Sequence, residues 1–178
     1  TVISSSLSRR EIESLEMDAR VVSISPDRKV MATMDIAVPT IGADRLGRYL
    51  GYSGKGVTVA VIDSGLTPSA TVLSSRILAS VDFTGAGRNT DAFGHGTHVA
   101  GTIGGSGAKG SVRGVAPGAA LVSLRVLDAN GQGYVSNVIE AIDWTIAHRQ
   151  ALGIRVLNLS FGHPPAESYR TDPLAHAV

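Results

Sequence analysis

The sequence contains no cysteine, and this absence excludes disulfide bonds, thiol nucleophiles and zinc sites built from thiolates. No stretch comes near the roughly 18 consecutive apolar residues that a membrane-spanning helix needs. Acidic and basic side chains nearly balance, with a formal net charge of +1, so no cluster of basic residues points to nucleic acid or to an acidic membrane surface. We therefore expect neither nucleic acid nor membrane among the partners.

Aromatic residues are also scarce, at 4%, whereas hydrophobic residues make up 43% of the 178 residues and glycine occurs 21 times. This hydrophobic share is enough for one globular domain with a core, and disordered chains contain much less. Frequent glycines allow tight turns and close backbone approaches. The composition thus indicates a tightly turned α/β domain.

Apolar, β-branched segments alternate with segments of helical periodicity along most of the chain. The run at 56–62 has the continuous apolar character of a strand that is buried on both faces of a parallel sheet. Further strands are predicted at 77–83, 121–127 and 155–159. Helices are predicted at 94–104, at 135–150 with an apolar face of Val138, Ile139, Ile142 and Ile146, and from near Asp172. This order predicts an α/β fold, a parallel sheet with helices on both faces.

The first 50 residues and one later turn show weaker patterns. Ser8 and Glu11 have the spacing of a capping box, which predicts a short helix to about Met17. A strand is predicted at 21–25, followed by a linker and surface segment from 28 to about 50. The glycine-rich residues 130–133 are predicted to form a turn.

Asp63 directly follows the strongest predicted strand. Functional groups gather at the carboxyl ends of the strands in an open parallel sheet. Gly65 permits a tight exit, and the short Ser64 leaves the Asp63 carboxylate room to point at a neighbour. The alternative is an aspartate that only accepts hydrogen bonds within its turn.

A histidine between two glycines begins a predicted helix at His95. The positive end of a helix disfavours imidazolium, which keeps the ring neutral and able to act as a base. A buried carboxylate could fix its tautomer, and Asp63 is the candidate. His98 lies three residues later, so a metal site that uses Asp63 or Asp91 is the rival interpretation. A structural, hydrogen-bonded role for His98 is the third.

Four blocks in order resemble the subtilisin-like serine peptidases, the subtilase family (peptidase S8). Residues 61–65 and 95–101 match its aspartate and histidine boxes, 114–117 match its next block, and 158–162 match the strand that lines its specificity pocket. The resemblance implies a subtilisin-like fold over residues 36–178, the N-terminal half of a catalytic domain. It implies serine-type endopeptidase activity on polypeptide substrates, with Asp63 orienting the base and His95 as general base and acid.

The resemblance also implies two backbone edges between which an extended substrate lies as an added strand. One edge comprises Gly131, Gln132 and Gly133, and the other Ser160, Phe161 and Gly162. A simple polar turn is the alternative for the first edge.

The chain departs from the family pattern in two ways. The family's nucleophile box, Gly-Thr-Ser-Met-Ala, and its oxyanion asparagine do not occur in the sequence. We interpret both as lost by truncation, so the chain alone is expected to be inactive. No cofactor is required for the chemistry, and no metal site is predicted. Structural calcium remains open, although the segments 67–71 and 104–109 lack the acidic and asparagine residues of the family's usual loop site.

Residues 1–35 resemble the last part of the inhibitory propeptide of these peptidases, a small α+β unit. By that resemblance the chain's own propeptide is an inhibitor whose tail lies in the substrate cleft and is cut between about Val30 and Ile41. The protein is then expected to be secreted. The alternatives are an ordinary N-terminal extension and a non-catalytic, peptide-binding relative. A nucleotide-binding module, suggested by residues 54–56, is disfavoured because those glycines precede the strand.

Overall fold

The computed structural model of the chain describes residues 5–27, 29–32, 50–69, 71–72, 74–108, 113–162, 164 and 168–178. Its central feature is a four-stranded parallel sheet in the order β3-β4-β2-β6. The strands are β2 (Thr58–Asp63), β3 (Ile77–Asp82), β4 (Ala120–Arg125) and β6 (Ile154–Leu159). These are the four strands predicted from the apolar runs, and the parallel sheet is confirmed.

β2 is buried along its whole length, because helices cover both faces of this sheet. Val59 and Val61 belong to one apolar cluster, which includes residues of α2 (His95–Gly104). Ala60 and Ile62 belong to the other, which includes residues of α3 (Val135–His148). Successive strand residues point to opposite faces, so the two helices lie on opposite sides of the sheet. The predicted layer arrangement is confirmed.

The apolar face predicted for α3 is wrong at one position. Val138, Ile139 and Ile142 are buried, but Ile146 is 56% exposed, and Thr145 is buried in its place. A step of four residues turns about 40° beyond a full turn of the helix. A row at this spacing therefore drifts off the buried stripe, and Ile146 is where it leaves.

The N-terminal segment begins with α1 (Arg9–Glu16), whose predicted capping box is present between Ser8 and Glu11. The strand predicted at 21–25 is wrong, because these residues form no strand and Val22 is fully exposed. A strand forms instead at β1 (Lys29–Ala32), within the segment predicted to be a linker. Strands are stabilised by neighbours with which they can pair, and β1 has them on both sides.

β1 lies between two short strands, β5 (Gln132–Tyr134) and β7 (Phe161–Gly162), in a three-stranded antiparallel sheet. Val30 is opposite Gly133, and Met31 is opposite both Gln132 and Gly162. The turn predicted at 130–133 is therefore misplaced towards the C-terminus, since residues 132 and 133 belong to β5.

The turn before β5 begins earlier because a carboxylate organises it. The Asp128 side chain accepts hydrogen bonds from the backbone N–H groups of Asn130 and Gln132, and the N–H of Gly131 donates to the carbonyl of Asp128. This carboxylate turn ends at Gly131, whose φ of 72° favours glycine.

The last described helix is α4 (Pro173–Ala177), which confirms the start expected near Asp172. The Asp172 carboxylate caps it by accepting from the N–H groups of Leu174 and Ala175. In the described part of the chain, none of the helices has the length and apolar character needed to cross a membrane.

Candidate active site

The end of β2 and the start of α2 bring an aspartate and a histidine together. Asp63 is the last residue of β2 and is completely buried, and His95 is the first residue of α2, with a side chain only 7% exposed. Nδ1 of His95 lies 2.7 Å from Oδ1 and 2.9 Å from Oδ2 of Asp63. The two side chains that the sequence paired are therefore in direct hydrogen-bonding contact.

The environment of this pair suits acid–base chemistry. Burial raises the pKa of the Asp63 carboxyl, and hydrogen bonds from His95 and from the Ser64 N–H oppose this rise. With Nδ1 donating to the carboxylate, Nε2 of His95 carries the lone pair that can accept a proton. Within the described residues, Nε2 is buried and has no hydrogen-bond partner. The pair thus presents an oriented base whose acceptor nitrogen is not used by the surrounding protein.

The helix start at His95 depends on close backbone packing. Gly94, the residue before the helix, has a φ of 94°. A Cβ on Gly96 would lie 2.2 Å from the carbonyl oxygen of Gly65 and 3.2 Å from Oδ1 of Asp63. Glycine at position 96 therefore allows the helix to approach the end of β2 closely enough for the Asp63–His95 contact.

His98 does not belong to this site. Its side chain is exposed, whereas the ring of His95 faces Asp63. No hydrogen bond of the His98 ring is present among the described residues, so the hydrogen-bonded role expected for it stays a prediction. An exposed histidine three residues after the buried one also gives no support to the metal interpretation, which needs both rings in one site.

Sequence reasoning missed the contribution of Asp91, which it considered only as a possible metal ligand. In the structure the Asp91 carboxylate accepts hydrogen bonds from the Ser64 hydroxyl and from the N–H groups of Gly94 and Thr97. A carboxylate three residues before a glycine at a helix start is a weak sequence signal for such capping. The Ser64 partner gives no signal, because it lies 27 residues earlier.

The six residues expected to bind substrate lie in, or directly before, the two strands that flank β1. Gln132 and Gly133 are in β5, while Phe161 and Gly162 form β7. Gly131 ends the preceding turn, and Ser160 separates β6 from β7, where its Oγ accepts from Nδ2 of Asn158. The structure thus places these residues on both sides of an extended segment, although their role towards a substrate stays a prediction.

An exposed phenylalanine that the sequence did not single out lies beside this arrangement. Phe93 is 43% exposed, and its ring centroid is 6.3 Å from that of His95. A Cβ on Gly131 would lie 2.5 Å from Cζ of Phe93, so the ring packs against the backbone at the start of the β5 edge. Phe93 therefore bridges the base and one flanking strand.

Three sequence-based expectations fall partly outside the described residues. Residues 33–49 contain the proposed division between the units 1–35 and 36–178 and most of the proposed cleavage region. Residues 70 and 109 belong to the two segments considered for calcium. The domain division, the cleavage region and the calcium expectation therefore stay predictions.

Comparison with known proteins gives consistent matches over most of the chain. The model of the family described as "Subtilase family" matches residues 54–177. Subtilisin DY of Bacillus licheniformis is 37% identical over 133 residues, which are 74% of this chain and 46% of that protein. An extracellular serine proteinase of Thermus sp. (strain Rt41A) is 38% identical over 163 residues, which are 86% of this chain and 38% of that protein.

An alkaline protease of Shouchella clausii is 36% identical over 168 residues, which are 92% of this chain and 42% of that protein. The chain therefore spans less than half the length of these relatives. The match begins upstream of β2 and includes both Asp63 and His95.

Proposed function

The chain belongs to the subtilase family, and on that premise we propose that the complete protein carrying it is a serine endopeptidase. Asp63 and His95 are two members of its catalytic triad. The observation that carries this proposal is the 2.7 Å contact between Nδ1 of His95 and the Asp63 carboxylate, with Nε2 left free to accept a proton.

In this proposal each residue has one task. Nε2 of His95 takes the proton from the attacking serine hydroxyl and later gives it to the leaving amine. Asp63 holds the ring in the tautomer with the proton on Nδ1 and stabilises the imidazolium that forms. The serine itself must come from a Gly-Thr-Ser-Met-Ala box, which is not among the 178 residues, so we expect the isolated chain not to hydrolyse peptides.

The substrates are polypeptides bound as an added strand between β5 and β7. The support comes from β1, an extended segment of the chain that pairs antiparallel with both strands. Main-chain pairing of this kind gives affinity without reading side chains. Any extended peptide with access to these edges could make the same pairing.

By the same geometry β1 acts as an inhibitory strand, the end of a propeptide that occupies the substrate position. A second contact holds it there, because the Asp27 carboxylate accepts hydrogen bonds from the N–H and the hydroxyl of Ser136, at the start of α3. This contact supplies a cap that α3 otherwise lacks, since its own N-cap side chain makes no capping bond.

We propose secretion as the location of the complete protein. The Thermus relative is named an extracellular serine proteinase, and an inhibitory segment suits a peptidase that must stay silent until it is exported. Fractionation of the producing cells, with the protein followed by antibody, tests this point.

The function is tested by comparing two histidine variants of the complete protein. We expect His95→Ala to lower kcat/KM on a peptide substrate by at least about 10³-fold, because the general base is lost. His98→Ala, on the exposed side of the same helix, is the matched control and should leave kcat/KM within about twofold.

A second arm uses Asp63→Asn, which should cost about 10⁴-fold in kcat because the wrong tautomer of His95 is favoured. Wild-type protein that binds peptides without cleaving them would contradict the proposal and support the non-catalytic alternative. Equal losses in His95→Ala and His98→Ala would also contradict it.

A further inference from the structure

A set of hydrogen bonds behind the Asp63–His95 pair converges on the Asp91 carboxylate. Oδ1 accepts from the Ser64 hydroxyl and from the Gly94 N–H, both at 2.7 Å, and Oδ2 accepts from the Thr97 N–H at 2.7 Å. Partial burial alone would raise the pKa of Asp91, but these hydrogen bonds outweigh burial and lower it. The carboxylate is therefore held in its charged form at the base of α2.

The Ser64 hydroxyl links this carboxylate to the pair itself. It is completely buried, donates to Asp91, and accepts from the Gly96 N–H at 2.9 Å. Ser64 follows Asp63 in the chain and Gly96 follows His95. The hydroxyl thus links the backbone directly after Asp63 to the backbone directly after His95.

Two threonines also connect the segment that follows β2 to the start of α2. The N–H of Asp91 donates to Oγ1 of Thr67 at 3.1 Å, and the N–H of Thr67 donates to Oγ1 of Thr97 at 3.0 Å. The exit from β2 and the entry to α2 are therefore connected at several points. The Ser64 link is the one closest in sequence to the pair.

We propose that Ser64 and Asp91 are positioning residues, which set the distance and angle between Asp63 and His95 without contacting the reacting atoms. This inference rests on the proposed peptidase function. The charge of Asp91 orients the Ser64 hydroxyl, since a hydroxyl that donates to a carboxylate turns its lone pairs towards the Gly96 N–H. Loss of either residue removes the link closest in sequence to the pair, so the start of α2 can shift relative to the end of β2.

The kinetic test uses Ser64→Ala, Asp91→Asn and the double variant of the complete protein. Each single variant should lower kcat about 10- to 100-fold, because small displacements of catalytic groups are costly, while KM stays within about threefold. The double variant should lose no more than the more impaired single variant, because both residues act through one link.

Asp172→Asn is the matched control, since Asp172 also caps a helix through two backbone N–H groups but lies at α4. It should leave kcat within about twofold. A kcat for Ser64→Ala or Asp91→Asn no lower than that of this control would overturn the proposal. Losses that multiply in the double variant would also overturn it.

A second measurement separates positioning from the proposed function. The proton on Nδ1 of His95 should give a far-downfield ¹H NMR signal in wild type, and this signal should move upfield or broaden in Ser64→Ala and Asp91→Asn, but not in Asp172→Asn. If the complete protein cleaves no peptide, the function fails while this signal still decides the positioning role. An unchanged signal in all variants would refute positioning even in an active enzyme.

Discussion

The two carboxylates beside His95 experience opposite environments although both are hydrogen-bonded. Asp63 is completely buried, and burial raises its pKa more than its hydrogen bonds lower it. Asp91 is also partly desolvated, but its hydrogen bonds from Thr97, Ser64 and Gly94 prevail and its pKa is lowered. The proposed mechanism requires Asp63 to be ionised, and its ionisation lowers the stability of the folded state. Ionisation of Asp91, in contrast, raises that stability.

These environments predict opposite pH dependences for Asp63→Asn and Asp91→Asn. A raised pKa means that wild type loses stability as pH rises from the unfolded value near pH 4 to the raised folded value, so Asp63→Asn should gain stability relative to wild type over that range. A lowered pKa gives stability that is present above the unfolded value near pH 4 and lost below it, so the deficit of Asp91→Asn should shrink in acid.

Urea unfolding of both variants and wild type at several pH values, with a peptidase inhibitor present, measures this difference. The same direction of change for both variants would show that the two carboxylates do not differ as described.

Asp63 and His95 could be identified from sequence because each lies in a short, local pattern. Asp63 follows a continuous apolar run, and His95 stands between glycines at a helix start. Ser64 and Asp91 could not be assigned their roles, because their bond joins positions 27 residues apart. Such a bond exists only after the strand and the helix have packed.

The glycines of α2 show how one helix combines close packing with ordinary helix stability. A Cβ on Gly96 would meet backbone at 2.2 Å, whereas a Cβ on Gly101 would meet only Cγ2 of Thr71, at 3.4 Å. Backbone cannot give way as a side chain can, so the two positions should respond to the same substitution in opposite directions.

We therefore expect Gly96→Ala to lower the free energy of unfolding by about 1–3 kcal/mol through overpacking, with a loss of activity because α2 is pushed from Asp63. Gly101→Ala should raise the free energy of unfolding by about 0.5–1 kcal/mol, because alanine favours a helix interior over glycine. Denaturant unfolding followed by circular dichroism measures both. A stable, fully active Gly96→Ala protein would contradict the packing described for the start of α2.

The parallel strands and main helices could be predicted because burial on both faces leaves a strong apolar pattern, as in β2. β1 and β5 could not, because little in their own composition favours a strand. β1 is a strand because β5 and β7 offer backbone partners on both sides. The opposite error occurred at 21–25, where Val21, Val22 and Ile24 favour a strand but no partner strand pairs with them in the described residues.

At the scale of the whole molecule, the N-terminal segment contacts the parallel-sheet unit at β5 and β7, where we propose that a substrate binds. β1 contributes main-chain pairing, and Asp27 adds a contact at the start of α3. Main-chain pairing is available to any extended peptide, whereas the Asp27 contact requires a carboxylate at one position. The Asp27–Ser136 contact should therefore distinguish the chain's own segment from other peptides.

We expect a synthetic peptide of residues 21–32 to inhibit the processed enzyme in trans, and Asp27→Ala in that peptide to weaken inhibition about fivefold. Loss of a capping carboxylate costs about 1 kcal/mol, which corresponds to about a fivefold change in the inhibition constant. Inhibition constants against wild type and Ser136→Ala enzyme complete a double-mutant cycle. In the Ser136→Ala enzyme only the backbone N–H at position 136 can still donate to Asp27, so Asp27→Ala should change the inhibition constant less than it does with wild type. An equal change with both enzymes would show that Asp27 acts elsewhere.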